Sequence, residues 1–164
     1  MRPMRCPRPR PAAALAAAAL LLTSACRTAG GGPAGPTYLG VDARRPYSEA
    51  VRAGGLLFVA GKLGTDSTGR LAPGGVVPET RQALANVRAA LERFGSGMDR
   101  VVKCTVFLAD IAEWGAMSEE YVKAFPADRR PARTALAVGG LPNGGRVEIE
   151  CIAAAGPAGA AAGR

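Results

Sequence analysis

The middle of the chain alternates apolar and polar positions, shifts to a spacing of three and four, and then alternates again, so strands and helices can be placed before any chemistry is considered. Ala50-Val51-Arg52 and Leu56 to Ala60, separated by Ala53-Gly54-Gly55, predict a hairpin. Gly64 to Gly75 carries the turn signals Gly69 and Pro73-Gly74-Gly75 and predicts a loop. From Pro78 to Phe94 the apolar residues Leu84, Val87, Leu91 and Phe94 recur on one helical face, with Gly95 placed to end the helix. Arg100 to Leu108 predicts a strand with Val102, Cys104, Val106 and Leu108 on one side and Lys103 and Thr105 on the other. A second helix is expected from about Ile111 to Phe125, burying Ile111, Trp114, Met117, Tyr121 and Phe125. Strands Ala132 to Val138 and Arg146 to Ala153, joined through Leu141-Pro142-Asn143-Gly144-Gly145, complete the series. Strand pair, helix, strand, helix, strand pair predicts an α+β domain, one sheet with both helices on one face.

The two ends read differently. Met1 to Arg10 holds four Arg and no acid, Ala12 to Leu22 is apolar, and Thr23-Ser24-Ala25 lead to Cys26. That order predicts a secretory signal over 1–26, with an apolar run too short to span a bilayer. Cys26 resembles the lipidated cysteine of a bacterial lipoprotein, although Thr23 stands where Leu is usual. An ordinary cleaved signal, or a misassigned start codon and a cytoplasmic protein, are the competing readings. Export would leave the domain facing the periplasm on a lipid anchor, and Arg27 after the cysteine favours the outer membrane. Residues 27–45, with the Gly-, Pro- and Ala-rich run from Thr28 to Pro36, are expected to form a flexible linker, 46–154 the domain, and 155–164 a disordered low-complexity tail.

Removing the leader changes the charge. Four of the 21 bases (Arg2, Arg5, Arg8 and Arg10) belong to it, leaving 17 against 13 acids, so the excess falls from +8 to +4. The remaining bases, such as Arg44-Arg45 and Arg129-Arg130, fall in turn-like segments, and aromatics make up 5% of the chain. A nucleic-acid surface would need clustered bases among stacking rings, so nucleic acid is not the expected partner. The chain has no histidine, which excludes Ser-His and Cys-His nucleophile pairs and the commonest metal ligand. Of four cysteines, Cys6 and Cys26 belong to the leader and Cys104 and Cys151 stand apart, without zinc-type spacing. Neither a metal nor a cofactor is expected. Cys104 and Cys151 both fall on apolar sides of alternating strands and read as buried free thiols, with a disulfide as the alternative in an exported protein.

Arg133 and Glu148 carry the candidate chemistry. Alternation places Arg133 beside Ala135 and Ala137, with Thr134, Leu136 and Val138 facing the other way. Arg presents a rigid fork of donors that fits a carboxylate, so an Arg with small neighbours on a sheet face suits a small acid, and a carboxylate could then act on water. Glu148 and Glu150 share a face with Arg146, opposite Val147, Ile149 and Cys151; a solvated face of cross-strand charge pairs is the plain alternative.

The wider context of these residues resembles one family. Pro46-Tyr47-Ser48-Glu49-Ala50-Val51, Leu57-Phe58-Val59-Ala60-Gly61-Lys62, Thr80-Arg81-Gln82-Ala83-Leu84-Ala85-Asn86-Val87, Val101-Val102-Lys103-Cys104-Thr105-Val106-Phe107-Leu108, Pro131-Ala132-Arg133-Thr134-Ala135 and Arg146-Val147-Glu148-Ile149-Glu150 occur in series. In that order they are similar to the RidA family, the YjgF/UK114 group, over about residues 46 to 154. The resemblance implies a chorismate-mutase-like fold, a homotrimer with sites between subunits, and hydrolysis of 2-imino acids such as 2-iminopropanoate and 2-iminobutanoate to the 2-oxo acid and ammonia. It implies that Arg133 clamps the substrate carboxylate, that Glu148 rather than Glu150 orients water, and that Tyr47 lines the cleft. Three positions depart from the family's usual residues: Ala135 stands where a cysteine is frequent, Ser118 where Asn is frequent, and Lys62 where Gln is frequent. Ser118 keeps a hydroxyl for a ligand, with shorter reach. These departures leave two alternatives open, a trimer that binds small carboxylates without turnover and an RNA-cleaving or chaperone-like protein.

Overall fold

The computed structural model describes residues 35–156. The expected signal with Cys26, the linker before Gly35 and the tail beyond Gly156 lie outside the described residues. Six strands form, β1 Thr37–Leu39, β2 Ala50–Ala53, β3 Leu56–Leu63, β4 Val101–Leu108, β5 Ala132–Ala137 and β6 Val147–Ala154, with helices α1 Val76–Arg93 and α2 Trp114–Tyr121. They build one mixed sheet in the order β1-β2-β3-β6-β4-β5. Every neighbouring pair is antiparallel except β4 and β5, which run parallel.

Alternation decides what each face holds. Leu57, Val59, Cys104, Val106, Leu108, Val147, Ile149, Cys151 and Ala153 are buried under the helices, where α1 contributes Ala83, Leu84, Val87, Ala90 and Leu91. Burying an aliphatic side chain of this size stabilises by about 1.5–3 kcal/mol, so this layer is the main source of stability. The opposite face has no covering layer among the described residues, and Phe58, Val102 and Leu136 are exposed there.

Buried polar contacts fix the helices. Glu120 of α2 is buried and accepts from Arg81 Nε of α1 and from Lys123 Nζ, both at 2.7 Å. The Arg81 guanidinium first, and then the Lys123 ammonium, hold its carboxyl below the usual range. Asn86 Nδ2 donates to the carbonyls of Leu63 and Thr65 at 2.9 Å each, tying α1 to the end of β3. Buried Glu79 accepts the Arg146 backbone N–H at 2.8 Å, just before β6. At the far end of α1, Gly95 takes φ 76° while Ser96 N–H donates to the Leu91 carbonyl and Gly95 N–H to that of Glu92, a Schellman ending.

Four expectations are corrected. Thr37–Leu39, placed in the linker, pairs with β2 as an edge strand. The second helix is interrupted: a 3₁₀ turn at Ile111–Glu113, opened by Asp110, leads into α2, and another at Val122–Ala124 ends at extended Phe125. Pro126 follows, and the residue before a proline avoids the helical region. Its outer positions are also not core, since Ile111 and Trp114 are 56% and 45% exposed. The last two strands do not pair with each other, because β6 inserts between β3 and β4 and leaves β5 on the edge. Alternation reports which face a residue takes and is silent on strand order.

The fourth correction concerns the cysteines. Cys104 of β4 lies opposite Cys151 of β6, with Cα atoms 4.1 Å apart, and the two form a disulfide instead of free thiols. That separation suits the narrow pairs of an antiparallel ladder. The bridge closes a 47-residue separation, which by loop entropy is worth roughly 3–4 kcal/mol. Replacing both cysteines with alanine should lower the unfolding free energy by about that amount in urea titrations. An unchanged midpoint would mean that the bridge does not form.

Candidate active site

The alternation that builds the core also sorts the polar residues. Arg133 pairs with Cys104, whose side chain faces the helices, so Arg133 lies on the helix side at the sheet edge. Glu148 pairs with Phe107 and Leu63 and lies between buried Val147 and Ile149, which places it on the open face. The two charges expected to share a substrate are therefore on opposite faces of one sheet. Within one chain they do not meet.

The Arg133 side is held by α2. Nη2 donates to Ser118 Oγ at 2.9 Å, and Cζ lies 5.4 Å from the centroid of the Trp114 ring and 4.8 Å from that of Tyr121. No carboxylate among the described residues pairs with this guanidinium, and its Nη1 is buried without a hydrogen-bond partner. Buried donors are ordinarily satisfied, so an unmet one beside an open aromatic ring is suited to an anionic guest. Ser118, expected to touch a ligand, touches Arg133. Ala135 shares the Arg133 face and packs against the core.

Tyr47 and Glu148 do come together. They line one open cleft of about 1020 Å³ with Gly61, Lys62, Glu49, Asn86 and Arg93, among others. A second hollow of about 380 Å³ meets Glu148 from the side of Phe107, Leu141 and Glu150. Burial first, and the neighbouring charge of Glu150 second, push the Glu148 carboxyl above its ordinary value. Lys62 does not reach into the cleft freely, because Glu49 holds its ammonium at 3.3 Å and also binds Arg93 at 2.8 Å.

Gly61 explains how Glu148 fits. The register between β3 and β6 passes from Val59↔Cys151 to Lys62↔Ile149, so β3 carries one extra residue in a bulge. A Cβ at Gly61 would fall inside the Glu148 carboxylate. Glycine there lets the acid lie over the strand. A glycine inside a strand pattern signals a bulge or a close approach, so sequence reasoning had the means to single out Gly61. Trp114 and Tyr121 were missed for a different reason. Read as core, they share a helical stripe with Ser118 at intervals of four and three that faces the arginine-bearing strand.

An unpaired, ring-flanked arginine on one side of the sheet and a carboxylate of raised pKa on the other are the candidate groups that this small α+β protein presents. A family model described as Endoribonuclease L-PSP matches residues 39–155. The chain belongs to this family, that of the RidA/YjgF proteins. It is 47% identical over 113 residues to the goat (Capra hircus) 2-iminobutanoate/2-iminopropanoate deaminase, covering 68% of this chain and 82% of the relative. The mouse (Mus musculus) protein of the same name is 46% identical over 113 residues, covering 68% and 83%. Among solved structures, RidA from an Antarctic Psychrobacter superposes with a TM-score of 0.64 at 35% identity, covering 69% of this chain and 91% of that one.

The cause of the Glu148 shift can be separated experimentally. Ionised Glu150 disfavours the ionised form of Glu148, so Glu150→Gln should lower the Glu148 pKa toward the ordinary carboxylate value while burial keeps it somewhat raised. A carboxyl-carbon NMR titration of both proteins reads this directly. A Glu148 midpoint that does not move, or moves upward, would rule out the coupling.

Proposed function

We propose that the protein hydrolyses small 2-imino acids, of the 2-iminopropanoate and 2-iminobutanoate kind, to 2-oxo acids and ammonia. The observation that carries the reading is the Arg133 guanidinium, half-buried, unpaired by any acid among the described residues and left with one unmet donor. The goat and mouse relatives, named as 2-iminobutanoate/2-iminopropanoate deaminases, support the choice of substrate.

The chemistry asks little of the protein. An imine carbon is already electrophilic, so positioning and one proton carrier suffice. Arg133 binds the substrate carboxylate. Ionised Glu148 takes a proton from water as the water oxygen bonds to C2, and the C=N π pair moves to nitrogen, which receives that proton from Glu148. Glu148, ionised again, takes the hydroxyl proton of the resulting carbinolamine and passes it to nitrogen as the C–N bond breaks, so that the carbonyl forms and ammonia leaves. Tyr47, in the same cleft as Glu148, hydrogen-bonds the nitrogen or the water. The sum is one imine and one water to one oxo acid and one ammonia.

A homotrimer completes the site. The helix side of one subunit, with Arg133 and Ser118, meets the open face of the next, with Glu148, Gly61 and Tyr47. Two facts support this arrangement: the opposite placement of the two charges within one chain, and exposed Phe58, Val102 and Leu136 on a sheet face without a covering layer. The Cys104–Cys151 disulfide likewise supports an extracytoplasmic home, where thiols oxidise and persist as bridges. We place the domain outside the cytoplasm, on a lipid anchor at Cys26.

Arg133→Ala should lower kcat/KM for freshly generated 2-iminobutanoate by roughly 100-fold, the loss expected for a charged hydrogen-bonding anchor, while sedimentation still reports the trimer. Ammonia release is the readout. Undiminished turnover would sink the assignment, and no turnover by the unaltered protein would favour a trimer that binds carboxylates without reaction. Cys26→Ser should move the protein from the membrane to the soluble extracytoplasmic fraction, whereas unchanged fractionation would remove the anchor.

A further inference from the structure

The Arg133 guanidinium keeps its place without an acid, and the residues that make this possible are on α2. A half-buried arginine ordinarily pairs with a carboxylate, because its charge is costly to desolvate alone. Such a partner would also neutralise it. Here the partners are the Trp114 and Tyr121 rings, at 5.4 and 4.8 Å from Cζ, and one neutral hydroxyl, Ser118 Oγ at 2.9 Å. The negative faces of aromatic rings attract a cation without cancelling its formal charge. Trp114, Ser118 and Tyr121 fall at intervals of four and three, so a single face of one helix supplies all three contacts.

Resting on the deaminase reading of this site, we propose that Trp114 and Tyr121 are positioning residues that hold Arg133 in its binding orientation while leaving its charge for the ligand carboxylate. The two rings differ in part. Tyr121 is 2% exposed, packs against Phe125 with ring centroids 5.0 Å apart, and anchors the stripe in the core. Burial pushes its phenol up to about 12, against the opposing effect of the Arg133 charge, so the ring stays neutral and never becomes a counter-ion at physiological pH. Trp114 is 45% exposed, with its ring centroid 5.4 Å from the Arg133 Cζ. It is also the only tryptophan in the chain, so the fluorescence of the unaltered protein reports on this one position.

The test uses the full-length protein and 2-oxobutanoate, an oxo-acid product, so that binding is read apart from turnover. Titration of the unaltered protein should change the Trp114 emission in a saturable way. By calorimetry, Tyr121→Leu and Trp114→Leu should each weaken 2-oxobutanoate binding on the order of tenfold, as expected for loss of a partly desolvated cation–π contact. Tyr121→Phe and Trp114→Phe, which keep a ring, should restore affinity to within about threefold. In turnover the leucine variants should raise KM more than they lower kcat. Circular dichroism and sedimentation confirm that each variant is folded and assembled. Folded leucine variants that bind as tightly as the unaltered protein would overturn the positioning role, as would phenylalanine variants no better than leucine. Normal 2-oxobutanoate binding with no ammonia release from imine would overturn the deaminase reading and leave the positioning role standing.

Discussion

Period-two alternation in β5 and β6 is the constraint on which everything else rests. It buries Val147, Ile149, Cys151 and Ala153 beneath α1, and by the same rule turns Glu148 and Glu150 to the open face. On the parallel edge strand it sends Arg133 toward α2. A one-residue slip of either strand would exchange core for surface and would also exchange the faces of the two charges. Fold stability and site geometry are thus set by one register. The core holds it, and so does the Cys104–Cys151 bridge across β4 and β6.

The helices serve as a rigid backing for the Arg133 side. Arg81 and Lys123 converge on buried Glu120 and lock α2 to α1, while Asn86 and Glu79 fix α1 to the ends of β3 and β6. The stripe of Trp114, Ser118 and Tyr121 is therefore positioned by the charge pairs on buried Glu120 rather than by the exposed turn that precedes it. On the other side of the sheet, placement relies on an absence: the missing Cβ of Gly61 gives the Glu148 carboxylate its room.

Much of this was legible in the amino-acid pattern, and the reasons for the rest are specific. Leu84, Val87 and Leu91 announced α1 because their spacing is a direct image of helical geometry, and Gly95 marked its end because only glycine takes that backbone conformation cheaply. Strand faces were legible for the same reason, except at Val102, expected beside Cys104 and turned to the open face by the register shift between Val101 and Lys103. Strand order was not, since whether β6 lies beside β5 or between β3 and β4 depends on long-range pairing that no local pattern encodes. The disulfide followed that failure: once β6 is placed against β4, Cys104 and Cys151 are opposite, and without that placement they are two separate apolar cysteines. Arg133 and Glu148 were singled out by residue type and strand alternation, and Tyr47 through a family resemblance. Their division between two faces needed the sheet, and Trp114 hid behind a helical spacing equally compatible with a core.

The position of β6 also has a consequence for how the molecule is made. The last strand among the described residues is an interior strand of the sheet, hydrogen-bonded to β3 on one side and β4 on the other. Until it arrives, the nascent polypeptide holds two half-sheets with bare edges and a thiol lacking its mate. Such a topology defers native collapse until β6 has been made, because neither half-sheet can complete its hydrogen bonding without it.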